Sequence, residues 1–92
     1  MLGPLSVELI GTFVFITVIF RFAKETWGAF PIGLALAAVI LFGGAVSGGH
    51  FNPAVSVAMF FSDKLTITGL LAYVIAQVLG GCGAWAFVRW VG

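Results

Sequence analysis

The chain is 92 residues long, 62% hydrophobic and 8% charged, with a formal net charge of +1 and a mean hydropathy of +1.23. Soluble domains spend about a quarter of their residues on Asp, Glu, Lys and Arg, so Glu8, Glu25, Asp63, Arg21, Lys24, Lys64 and Arg89 are too few for a water-facing shell, and lipid is the expected solvent. The charge balance gives no field for nucleic acid and no basic run for an anionic lipid surface, and the single Cys82, expected simply to pack, excludes an intrachain disulfide and a Cys-rich metal site.

In chain order, the first apolar stretch runs from about Pro4 to Phe20, long enough to cross a hydrocarbon core of roughly 30 Å at 1.5 Å per residue. It lacks the basic start and small-residue cleavage signal of a secretory leader and reads as a retained span. Within it Glu8 is an ionisable group at membrane depth. Such groups usually face the protein interior with a partner, the alternative being an interfacial acid that snorkels to water. Arg21 to Gly28 interrupts the pattern, and a second span follows over about Ala29 to Val46.

The segment Ser47 to Ser62 is apolar, too short to cross twice and rich in Gly and Pro around its first half. Asn52 followed by Pro53 is a helix start, because Asn caps free amides and Pro fits the first turn. A helix from Pro53 to about Phe61 would be roughly 13 Å long, about half the hydrocarbon thickness, so it can dip in and stop near mid-membrane. Irregular backbone at that depth is tolerated only in protein or beside a water-filled cavity, and Ser47 to Asn52 therefore implies a cavity. The alternative is a surface loop and a flat interfacial helix, against which Ala54 to Phe61 is apolar nearly all round.

If Asn52 caps with its side-chain oxygen, its NH₂ remains as a donor to a passing molecule; otherwise Asn52 only caps. His50, alone in an apolar setting, reads as structural before it reads as a proton carrier. The third span covers about Leu65 to Val91, where Gln77 is expected to bond to another helix or to support the loop. Ala72, Ala76, Gly80 and Ala84 give this span a face of small residues for close helix approach. Gly33 and Ala37 begin a similar face on the second. No linker or repeat divides the chain, and no nucleophile, base and orienting acid occur together, so an enzyme is not expected. No cofactor or metal is called for.

Ser47-Gly48-Gly49-His50-Phe51-Asn52-Pro53-Ala54-Val55 resembles the signature loop of the aquaporins, the major intrinsic protein family. Glu8-Leu9-Ile10-Gly11-Thr12-Phe13 resembles the family's first-helix pattern, and Tyr73-Val74-Ile75-Ala76-Gln77-Val78-Leu79-Gly80-Gly81 its third-helix pattern. The resemblance covers nearly the whole chain but only one of the two oppositely oriented three-helix repeats a member ordinarily has. The chain begins just before the first span and ends just after the third, so it is expected to be complete as a unit.

The fold thus implied is all-α, with three transmembrane helices and one re-entrant half-helix bearing Asn52, Pro53 and Ala54. Glu8 is implied to hold the dipping loop near His50. By position, the family's selectivity filter maps to Ile32, Gly49 and Val55, where an aromatic and an Arg are usual. A symmetric pair, holding two of each, is expected to have filter positions that are all apolar or bare.

Three spans leave one side of the dipping loop open, so a partner is required. An inverted homodimer would set two half-helices end to end at the midplane. The expected function is passive conduction of water, with glycerol or other small neutral solutes, through such a pair. By analogy with the family, four pores would gather as an octamer. The competing readings are a non-conducting adaptor beside a full-length channel and a proton-coupled carrier using Glu8 and His50. Lys64 on the N-terminal side faces Arg21, Lys24 and Arg89 on the other, a small enough bias to predict dual topology.

Overall fold

The computed structural model describes residues 1–92, which form α1 (Leu2–Phe22), α2 (Ala29–Ser47), α3 (Pro53–Phe61) and α4 (Ile67–Val91). The three long helices are each apolar and long enough to cross a membrane. α1 packs along both α2 and α4, α3 rests on α4, and α2 reaches α4 through a hydrogen bond at its last residue, Ser47, rather than by packing along it. The long axis of 38 Å suits a bilayer core of about 30 Å plus its interfaces. The chain is an all-α integral membrane protein.

Local chemistry sets the boundaries, some of which differ from those expected. α1 starts at Leu2 rather than Pro4, because a proline in the first turn removes only an amide that would be unpaired anyway. It continues to Phe22, since Arg21 is a good helix former and its guanidinium lies over the Phe22 ring. α4 starts at Ile67 rather than Leu65, because Thr66 is its cap, with Oγ1 accepting from Gly69 N at 3.0 Å. α2 ends at Gly48, whose φ of 91° favours glycine. α3 is capped by Asn52, whose Oδ1 accepts from Ala54 N at 2.8 Å, and has Pro53 at its first position.

Polarity is inverted relative to a water-soluble domain. The largest fully buried side chains are Gln77, Glu8, Thr12 and Ser56, while Phe42 is 90% exposed and Leu41 84%. Lipid tails solvate the outward apolar groups, so the helices are held by close packing and internal hydrogen bonds. Gly80 lets α1 approach: a Cβ there would overlap the Leu9 carbonyl oxygen and lie 3.1 Å from Phe13 N. Ala76 and Ala84 are buried on the same helix and Ala72 is half-buried. The small face on α2 is uncovered, for Ala37 is exposed and a Cβ on Gly33 would meet nothing within 4 Å.

Candidate functional site: a re-entrant loop beside an open cavity

Four residues separate α2 from Asn52, and in that space the backbone must reverse. Gly48 and Gly49 do so with φ of 91° and 66°, and Phe51 follows with φ of 53°. For Phe51, a non-glycine residue, the left-handed conformation costs roughly 1–2 kcal/mol. What holds it there is a ring buried against Gly11, where any Cβ would overlap the ring, together with a hydrogen bond to Glu8.

Glu8 is 0% exposed. Its Oε2 accepts from Ser47 Oγ at 2.7 Å and His50 N at 3.0 Å. Its Oε1 accepts from Phe51 N at 2.8 Å and Gln77 Nε2 at 2.9 Å. One α1 carboxylate therefore ties together the end of α2, the loop and α4. The other proton of the Gln77 amide goes to Ser56 Oγ at 2.9 Å. Ser56 Oγ is 2.8 Å from His50 Nδ1. Ser56 thus joins Gln77 to His50, the direction of the Ser56–His50 bond following the tautomer of the ring. Tyr73 OH closes the cluster by donating to Ser47 O at 2.7 Å, its ring centroid 5.0 Å from that of His50.

The arrangement has a consequence for the other side of the loop. In a trans peptide the N–H and the preceding C=O point in opposite directions, so donation by His50 N and Phe51 N to Glu8 turns the carbonyls of Gly49 and His50 away from it. No hydrogen bond within the chain ends on the carbonyl oxygens of Gly48, Gly49 or His50. Three successive acceptors thus stand free just before Asn52. The NH₂ of Asn52, its Oδ1 engaged in the cap, adds donors with no acceptor in the chain.

Ahead of α3 lies an open cavity of about 480 Å³, walled by Phe15, Ile16 and Ile19 of α1 and by Val78 and Cys82 of α4, with Asn52 and Pro53 at one end. α3 is tied to α4 at Gln77, and the cavity lies beside the part of α4 beyond it. Cys82 is exposed there rather than packed, because α3 stops at the level of Gln77 and leaves the next turns of α4 bare. Thr12 Oγ1 and Gln77 Oε1 are buried beside the cavity without a hydrogen-bond partner.

The structure brings Glu8, His50 and Gln77 into one cluster and places Asn52, Pro53 and Ala54 exposed at the start of α3. It does not bring the three filter positions together within one chain. Ile32 is in the first turn of α2, and Gly49 follows the last, with about 22 Å of helix between Ile32 and Ser47 at 1.5 Å per residue. Helix length alone puts Ile32 at the opposite end of α2 from Gly49. Sequence reasoning missed Ser47, Ser56, Tyr73 and the free carbonyls. A lone hydroxyl such as Ser56 amid the apolar run Pro53–Phe61 was the available signal.

The fold and loop define a class: an integral membrane protein with a half-helix that enters the membrane and returns, capped by Asn-Pro. Residues 26–92 match the Major intrinsic protein family. Aquaporin Z of Photorhabdus laumondii is 36% identical over 92 residues, covering 88% of this chain and 40% of the relative. Aquaporin Z of Brucella melitensis is 37% identical over 99 residues, with 96% and 43% covered. Glycerol uptake facilitator protein-like 6 of Lactiplantibacillus plantarum is 33% identical over 87 residues, with 89% and 40% covered. The chain belongs to the major intrinsic protein family, and it spans about 40% of the length of these curated relatives.

Proposed function

We propose that two copies of this chain, inserted in opposite orientations, form a passive channel for water and small neutral solutes such as glycerol. The observation that carries the reading is the end of α3: a capped half-helix whose Asn52, with an NH₂ that no group of the chain engages, lines an open cavity, preceded by three carbonyls that are likewise unengaged. Water and polyols need such alternating donors and acceptors in place of their hydration, and an apolar wall lets them slip from one to the next. The names of the relatives, aquaporin and glycerol uptake facilitator, point to the same solutes.

One copy leaves the cavity ahead of α3 open to the side. An inverted copy would bring its own half-helix toward the same level, setting two Asn52 residues near mid-membrane as inverted-repeat transporters set their broken helices. Each helix N-terminus carries about half a positive charge, which disfavours cations at the centre. Donors on both sides would reorient single-file water so that its hydrogen-bonded chain is broken. Each mouth would then combine Ile32 of one copy with Gly49 and Val55 of the other, an apolar opening without a fixed cation. Four such pores would make an octamer.

Osmotic swelling of liposomes containing only this chain tests the proposal. Rapid swelling in water and slower swelling in a glycerol gradient are expected. No swelling, together with altered flux through a co-inserted full-length family member, would instead favour the non-conducting adaptor.

A further inference from the structure

Thr12 Oγ1 and Gln77 Oε1 are buried side-chain oxygens with no hydrogen-bond partner in the chain, and each residue is 2% exposed. Both residues wall the cavity ahead of α3. Hydrocarbon has no donor to offer, so a cavity filled by lipid would leave both oxygens unsatisfied at membrane depth. Free donors stand at the same cavity. Asn52 lines it with an NH₂ that has no acceptor in the chain, and the peptide N–H of Val55, in the first turn of α3, has no partner either. Within one chain these donors and acceptors do not meet.

Shape gives a second reason to fill the cavity with a helix. α3 is tied to α4 at Gln77 through Ser56. Beyond that level α1 continues from Thr12 to Phe22 and α4 from Gln77 to Val91, about 15 Å and about 21 Å of helix at 1.5 Å per residue. The groove between them, walled by Ile16, Ile19 and Val78, is long enough for a helix the size of α3, about 13 Å. α3 in turn carries an uncovered apolar face, Ala54, Val57, Ala58 and Phe61, at helical spacing. One chain thus holds a short apolar helix with free donors at its tip and a groove of matching length with free acceptors at its inner end.

We infer that Thr12 and Gln77 are docking points for the α3 of a second copy, which enters the groove tip first from the opposite face of the membrane. The inference rests on the inverted pairing of the proposed channel and names the surface that receives the partner. In a two-fold pair each copy gives its α3 and receives one, so both sets of donors and acceptors are matched at once. Thr12 Oγ1 and Gln77 Oε1 are recessed in the wall, and the tip reaches them with the side-chain rotations that commonly accompany association. The Asn52 NH₂ carries two protons: one meets an oxygen of the second copy and the other remains for the solute.

Solid-state NMR of proteoliposomes tests the contact without any substitution, because Asn52 is the only asparagine of the chain and Gln77 the only glutamine. Copies carrying ¹³C-glutamine are mixed before reconstitution with copies carrying ¹⁵N-asparagine, so any coupling between the two labels arises between copies. A dipolar coupling corresponding to about 4 Å between the two side-chain amides is expected. Pairing is read in parallel by energy transfer between dyes on the C-termini as lipid is added. Paired copies without the coupling overturn the inference.

Thr12→Val deletes an oxygen that bonds to nothing in its own chain, so the single chain keeps every bond while a two-fold pair loses two. Pairing should weaken roughly tenfold, and Thr12→Ser should pair like wild type. Val78→Trp, which fills the groove from an exposed position, should weaken pairing by about tenfold or more. Thr12→Val that pairs like wild type overturns the inference. So does water flux lost in Thr12→Val at undiminished pairing, which would make Thr12 a wall of the solute path. Wild type that never pairs removes the channel reading and the inference together, whereas wild type that pairs and conducts without the amide coupling removes the inference alone.

Discussion

Asn52 serves two purposes that substitution can separate. Its Oδ1 caps α3 through a 2.8 Å bond to Ala54 N, and its NH₂ is the proposed donor to the solute. Asn52→Ala removes both. Loss of a cap costs about 1 kcal/mol, a small change beside the two backbone bonds to Glu8 that continue to hold the loop. Loss of the donor strips a passing molecule of a hydrogen bond worth about 1 kcal/mol net, and leaving it unsatisfied costs about 1–3, so unit water permeability should fall about five- to a hundredfold.

Asn52→Asp keeps a capping oxygen as good as that of Asn but has no NH₂. It is expected to insert like wild type and to conduct as poorly as Asn52→Ala. Stopped-flow light scattering of proteoliposomes, normalised to helical protein by circular dichroism, gives both quantities. If Asn52→Asp conducts fully, or if flux in Asn52→Ala falls only in step with folded protein, Asn52 is a cap and its pore role is wrong.

Gly80→Val should separate α1 from α4, because its Cβ would meet the backbone of Leu9 and Phe13. A loss of about 1–3 kcal/mol or more is expected, read as a lower midpoint in detergent unfolding. Tags at the C-terminus should be labelled from both sides of the membrane, since Lys64 opposes only Arg21, Lys24 and Arg89; labelling from one side alone would exclude the inverted homodimer. Val55→Arg should reduce glycerol flux more than water flux by adding a charged donor at an apolar mouth, and equal effects on both would show that Val55 does not line it.

The half-helix was legible because its signals are local. Asn-Pro states where it starts, and an apolar run too short to cross implies a return. The spans were legible from hydropathy, their ends shifting by two residues where Pro4 and Thr66 act through position in a turn. Glu8, His50 and Gln77 could be suspected because each is costly in lipid. Ser47, Ser56 and Tyr73 could not be placed, since a hydroxyl is cheap enough in a helix to need no tertiary explanation. The free carbonyls left no trace in residue identity, because they follow from the direction in which Glu8 draws the N–H groups.

The same inversion of polarity governs which changes should matter. The buried cluster of Glu8, Ser47, Ser56, Tyr73 and Gln77 is satisfied almost entirely by itself, and a half-satisfied network is worse than an apolar one. The two atoms it leaves over, Thr12 Oγ1 and Gln77 Oε1, lie on residues that wall the cavity ahead of α3, where a second half-helix would arrive under the proposed pairing. Apolar exchanges on lipid-facing positions such as Leu41 and Phe42 remove little, because lipid solvates one apolar side chain much as another. A partner-facing position behaves differently: closely packed groups on both chains must fit. Gly33 and Ala37, small and uncovered on α2, therefore distinguish the two environments. Bulky apolar substitutions there should be tolerated if that face meets lipid and should reduce assembly if it meets another helix, as read by chemical cross-linking in detergent.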